Sequence, residues 1–262
     1  VAEPETCPRC GTFAVLESNG FRRVCGPCLP LVRHPAELAN GDPVKLLAAL
    51  WQVLRELGPF TLGLSVLLTL PLMALQAFEV GPPWLPPVLQ IAAMTVVESV
   101  SAFVFRDRVL AAAPRAPIPW QPALVRAGGV FGVNIVGSIG LSCCSPMVLA
   151  YGPFMAAVGL AALEGTGPID SFVVAWKRSE GQRIALSVAA LAPMVPAFVL
   201  YLIPAVVGGI AAGSMGLQVS FTAISTVMLL LFAVLFVPAN LFQLVAWLAT
   251  RPQPQRVDAA SS

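Results

Sequence analysis

Four cysteines near the N-terminus are the residues whose type and spacing define a chemistry most narrowly. Cys7-Pro8-Arg9-Cys10 is followed, after fourteen residues, by Cys25-Gly26-Pro27-Cys28. A CxxC turn aims two thiolates at one point, and two such turns joined by a short hairpin make a tetrahedral sulfur shell suited to Zn2+. The spacer is slightly short for such pairs, but Thr12 to Leu16 and Phe21 to Val24, separated by Ser18-Asn19-Gly20, read as a compact hairpin. Cys7, Cys10, Cys25 and Cys28 would close the shell around one ion, leaving no position for water or substrate, so the expected zinc is structural. So small a module has little core of its own and should unfold without metal. Two disulfides or a thioredoxin-like redox pair would use the same residues. A reducing cytoplasmic location disfavours the first, and the lack of a strand-helix-strand unit disfavours the second.

The second candidate site lies in apolar sequence. Glu98 falls well inside a hydrophobic segment, where a carboxylate is costly unless it is protonated, paired or facing a polar cavity. Ser99 and Ser101 adjoin it, Gln90 lies two turns away, and Asn134 and Ser138, one helical turn apart in the third segment, are placed to share that interior. Glu98 and Asn134 therefore make either a proton- or cation-sensitive site or an interhelical hydrogen bond that holds a bundle together. Asn240 and Gln243 offer the same choice further along. Enzyme motifs are scarce. The one histidine, His34, lies in an aqueous linker, and no HExxH, G-x-S-x-G or phosphate loop occurs. The adjacent Cys143 and Cys144 lack CxxC geometry and read as small packing residues.

The elements that must position these residues are set by composition. Of 262 residues 57% are hydrophobic and 11% charged, with a mean hydropathy of +0.83. That is too little polar surface for a water-facing globule, and it excludes a large soluble catalytic domain. A net charge of +2 is too mild for nucleic-acid binding. Six apolar segments are predicted, at about 60–80, 84–105, 128–146, 147–163, 184–208 and 217–249. All fifteen Lys and Arg residues fall before the first, between the second and third, between the fourth and fifth, or after the sixth. Six spans with both termini in the cytoplasm produce that partition most simply. The N-terminus is polar and carries no hydrophobic core of a cleavable signal peptide.

Three amphipathic pieces precede spans. Asp42-Pro43 starts a helix whose Leu46, Leu47, Leu50, Trp51, Val53, Leu54 and Leu57 share a broad apolar face. Pro119 to Arg126 is a shorter counterpart, and Pro168 to Glu180 places Ile169, Phe172, Val173 and Trp176 at i, i+3, i+4 and i+7. Each is followed by a glycine, Gly58, Gly128 or Gly181, which predicts three elbow helices lying in the membrane interface.

The run Leu163-Glu164-Gly165-Thr166-Gly167-Pro168, with Ser171-Phe172 and Ala175-Trp176-Lys177-Arg178-Ser179-Glu180-Gly181, resembles the membrane region fused to some bacterial glycerophosphoryl diester phosphodiesterases and its stand-alone six-span relatives of unknown function. In those relatives an acidic residue closes the fourth span and an Ala-Leu-x-x-Ser-Trp helix runs to a glycine. Ser171 and Phe172 stand at the Ala-Leu positions, Trp176 and Gly181 match, and Ala175 replaces the serine. The resemblance spans residues 43 to 249, with its distinctive part near twenty residues. It implies a six-helix membrane domain with cytoplasmic elbow helices in a bacterial inner membrane, and not phosphodiesterase activity, which belongs to a separate soluble barrel.

The expected fold is thus an all-α integral membrane protein of six transmembrane helices with cytoplasmic amphipathic elbow helices and a small N-terminal β-hairpin zinc ribbon. Its expected parts are residues 1–34, the ribbon; 35–58, a linker and interfacial helix; 59–250, the membrane domain; and 251–262, a disordered cytoplasmic tail. The expected function is non-enzymatic: an anchor, assembly platform or membrane organiser whose ribbon docks a cytoplasmic protein, with self-association open and no nucleic acid. The alternative is a small transporter or channel using Glu98 and Asn134.

Overall fold

Long apolar stretches satisfy their backbone groups most simply as α-helices, and helix dominates the computed structural model. The structure describes residues 4–7, 12–18, 23–25, 42–78, 81–82, 84–107, 118–143, 150–196, 199, 206, 229–231 and 233–251. Four antiparallel strands come first. β1 (Glu5–Thr6) pairs with β2 (Phe13–Ala14), and β3 (Leu16–Ser18) pairs with β4 (Arg23–Cys25) in the register Leu16↔Cys25. Helices follow: α1 (Pro43–Ala77), α2 (Leu85–Phe105), α3 (Trp120–Cys143), α4 (Tyr151–Leu163), α5 (Pro168–Arg178), α6 (Arg183–Leu191) and α7 (Val237–Thr250).

Four helical stretches, Pro43–Leu75, Leu85–Phe105, Trp120–Ile139 and Leu229–Thr250, are long and apolar enough to cross a bilayer. Tyr151–Leu163 and Arg183–Pro196 are shorter apolar helices. Their faces are arranged inside out relative to a soluble bundle. Thr61, Ser65 and Thr69 of α1 are buried while Leu62, Leu67 and Leu70 are exposed, and on α2 Thr95, Glu98 and Ser101 are buried while Val88 and Val96 are exposed. Hydrocarbon offers polar groups no partner, so they turn inward and bond one another. The Thr61 and Ser101 hydroxyls lie 3.0 Å apart, and Ser65 donates to the Ala233 carbonyl at 3.0 Å.

Two of the expected elbow helices are corrected. The start at Asp42-Pro43 occurs as expected, with Asp42 Oδ1 accepting from the Val44 N–H at 2.9 Å. However, α1 then runs unbroken through Gly58, with Pro59 and Pro71 inside it. A proline removes one donor and bends a helix, yet the helix continues through both positions. At its N-terminal end Leu46, Leu50, Val53 and Leu57 point into the protein, leaving Val44 and Trp51 outside. Likewise Gly128 lies within α3, which absorbs the Pro119 to Arg126 piece. The third elbow helix forms separately as α5, with Gly181 beyond its end at φ +80°. It buries Ser171 and Ala175 and exposes Ile169, Val173 and Trp176.

At the centre, every residue of α4 except Phe154 and every residue of α7 except Pro238 is buried. α4 also packs on α2, α3, α5 and α6. A helix apolar all round suits such a position. The contact is close because the site on Gly159 where a Cβ would stand lies 2.6 Å from Trp247 Cβ and 2.8 Å from the Gln243 carbonyl oxygen. Backbone and Cβ atoms cannot rotate away, so Gly159→Val must push α4 and α7 apart. The variant should lose about 1–3 kcal/mol of stability in mild detergent, whereas Gly63→Ala, with nothing within 4 Å, should melt like wild type. An unchanged melting temperature for Gly159→Val would contradict the packing.

Candidate functional site

The ladders of the N-terminal module bring together one cysteine from each CxxC pair. Cys7 directly follows β1 and its N–H donates to the Thr12 carbonyl at 2.8 Å, while Cys25 closes β4 opposite Leu16. The Cys25 N–H then donates to Cys7 Sγ at 3.4 Å. The cysteines are 1% and 2% exposed, and no disulfide joins them. Cys10 and Cys28 lie outside the described residues, as do His34, Glu79 and Cys144. Two buried sulfurs from separate CxxC pairs, one accepting a backbone N–H, fit a thiolate zinc shell, because such N–H donors stabilise thiolates and orient metal ligands. Cys7, Cys10, Cys25 and Cys28 would hold the ion, which would supply cross-linking and no catalysis. Cys7, Leu16 and Cys25 belong to the same buried apolar cluster as Leu46 and Leu50.

The second site lies inside the bundle. α2 carries Glu98 inward and α3 carries Asn134, whose Nδ2 donates to Glu98 Oε2 at 2.7 Å and approaches Thr95 Oγ1 at 3.3 Å. From α7, Gln243 Nε2 donates to the Glu98 carbonyl at 3.2 Å. Three helices thus meet at one residue. Glu98 is 2% exposed, and among the described residues no Lys, Arg or His forms an ion pair with it. A cavity of about 190 Å³ opens beside the pair. Ser138 lines it as the sequence led one to expect, and Asn240 lines both this cavity and a smaller one, about 30 Å³, bordered by Ser65, Thr69 and Gln90. The smaller space suits a water molecule with several polar neighbours. Ser101 belongs elsewhere, on Thr61, and Ser99 Oγ and Gln243 Oε1 are buried with no hydrogen-bond partner among the described residues.

Sequence reasoning missed several walls of this cavity: Tyr151, Phe154, Met94, Met155 and Met194. In an apolar segment such residues look the same whether they face lipid, core or cavity. Only Tyr151, one of two tyrosines in the chain, carried a signal, since a hydroxyl at the head of an apolar segment needs a polar neighbour.

A third cluster gathers charges from segments far apart in sequence. Glu164, just past α4, accepts from Arg178 at 2.7 and 3.1 Å and from Trp247 Nε1 at 2.9 Å. Arg126 donates to the Leu163 carbonyl at 3.0 Å, and the Arg251 guanidinium lies 5.2 Å from the centre of the Trp247 ring. Gly165, at φ +76°, turns the chain there from α4 toward α5. Neighbouring Arg183 lies 4.0 Å over the Trp176 ring and donates to its carbonyl. The cluster is partly exposed and has the geometry of a structural clasp.

As-purified protein should contain one zinc per chain, and Cys7→Ser/Cys25→Ser protein none, by elemental analysis. Full zinc in the double variant would contradict the assigned shell. Comparisons with family models, with curated proteins and with solved structures give no significant match for this chain.

Proposed function

We propose that the chain is a non-enzymatic integral membrane protein whose N-terminal zinc ribbon docks a cytoplasmic protein partner. In this reading the helical body crosses the bacterial inner membrane six times, with both termini in the cytoplasm, and serves as anchor, assembly platform or membrane organiser. The observation that carries it is the convergence of Cys7 and Cys25 from separate CxxC turns, with a backbone N–H aimed at one sulfur. A closed sulfur shell does no chemistry, so its use is to hold a small surface rigid for recognition. That Cys7 and Cys25 share a buried apolar cluster with Leu46 and Leu50 of α1 supports a role in linking partner to membrane.

Topology has its own support. Arg126, Arg178 and Arg251 come from three connections expected on the cytoplasmic side, and all three meet around Leu163, Glu164 and Trp247. Loops on opposite faces of a bilayer could not share that clasp. The motif around Glu164 is also the part of the chain that resembles the stand-alone relatives of phosphodiesterase-fused membrane regions.

A second reading is favoured by the Glu98–Asn134 contact beside a cavity: a small transporter that uses this buried carboxyl to receive a cation.

The docking role is tested by purification from native membranes in mild detergent, comparing wild type with Cys7→Ser/Cys25→Ser and quantifying zinc and co-purifying proteins together. A specific partner lost along with zinc is the expected result. A variant that loses zinc yet retains every partner would exclude the ribbon as the docking module.

A further inference from the structure

We infer that the cavity beside Glu98 is a binding site for a small organic cation, an ammonium group carried on a compact apolar body. The inference deepens the transport reading by naming the class of ligand. Polar side chains from four helices converge on the cavity: Glu98 from α2, Asn134 and Ser138 from α3, Tyr151 from α4 and Asn240 from α7. They include a single ionisable carboxyl with no basic ion-pair partner among the described residues. A carboxyl so deeply buried calls for one positive charge or a proton. The remaining lining is apolar, with Phe154 and Phe236 among it, and the Tyr151 and Phe154 ring centres lie 5.8 Å apart.

Size and lining together select among cations. A cavity of roughly 150 Å³ takes one benzene molecule, so the 190 Å³ here has room for one ring with a short aminomethyl arm. An inorganic ion would leave most of that space empty. It would also lack ligands, since Ca2+ and Mg2+ draw on six or more oxygens and no group of three His, Cys, Asp or Glu occurs among the described residues. An ammonium has three donors for the Glu98 carboxylate and the neighbouring amide and phenol oxygens, while aromatic faces attract its charge. Met94, Met155 and Met194 supply flexible, polarizable walls for the apolar body.

The probes are benzylammonium and its uncharged counterpart benzyl alcohol, titrated against the full chain in lipid nanodiscs, with empty nanodiscs subtracted. Benzylammonium should bind saturably at one site, and benzyl alcohol at least about tenfold more weakly, because the charged hydrogen bond is lost. Glu98→Gln should bring the ammonium down to the level of the alcohol. Ala239→Leu, which fills the cavity without touching a charge, should weaken both probes and serves where Glu98→Gln does not fold. Equal affinity for the two probes, no saturable benzylammonium binding to wild type, or binding unchanged by Glu98→Gln or Ala239→Leu would overturn the proposal. Uptake of benzylammonium into proteoliposomes is measured alongside. Saturable, Glu98-dependent binding without uptake would uphold the site and remove the transport reading.

Discussion

Hydrocarbon offers no hydrogen bonds, and the arrangement of the helices follows from that one constraint. Thr61, Ser65, Thr69, Thr95 and Ser101 would be neutral on the surface of a soluble helix, but here they turn inward and find partners on other helices or on their own backbone. Glu98 is the most demanding of these groups, because a carboxyl needs more than one weak donor. Its position fixes those of its neighbours: Asn134 must reach it from α3, and Gln243 grips the same residue's carbonyl from α7. Apolar side chains are then left to face outward, and the mutual distances of α2, α3 and α7 are set by short polar contacts in their shared interior.

Close packing does the complementary work where no polar group is present. α4 is small-residued and buried nearly all round, so its glycines let α7 and α6 approach to backbone contact. With little hydrophobic drive between helices in lipid, that dense contact is a principal source of association. The clasp at Glu164 then ties the end of α4 to α5 and α7, joining the connection after α4 to the end of α7 through Arg178 and Trp247. The cavity and the clasp share two helices, α4 and α7, so a ligand beside Glu98 would touch helices that the clasp secures.

Much of this was legible in the sequence, for physical reasons that differ from residue to residue. The cysteine spacing pointed to Cys7 and Cys25 meeting, and the helix start at Asp42-Pro43 followed from local capping chemistry alone. Glu98 and Asn134 stood out because their types are costly in apolar surroundings, and that cost is what brings them together. Local rules failed at Gly58-Pro59 and Gly128, where residues of low helix propensity sit inside long helices whose other residues favour helix. The partners of Glu164 were hidden as well, since Trp247 lies 83 residues away and nothing local marks the pair. Nor did Tyr151 and the cavity methionines announce a wall rather than a core.

The claim on which the rest depends is that the Glu98–Asn134 contact holds the bundle interior together. A double-mutant cycle with Glu98→Met, Asn134→Leu and both, unfolded reversibly in bicelles, measures it directly. The contact predicts that each single variant leaves a polar group unpaired and destabilises, while the double variant recovers part of the loss, giving a coupling of about 0.5–2 kcal/mol. Strictly additive effects would mean that the two side chains do not depend on one another, and would contradict the account.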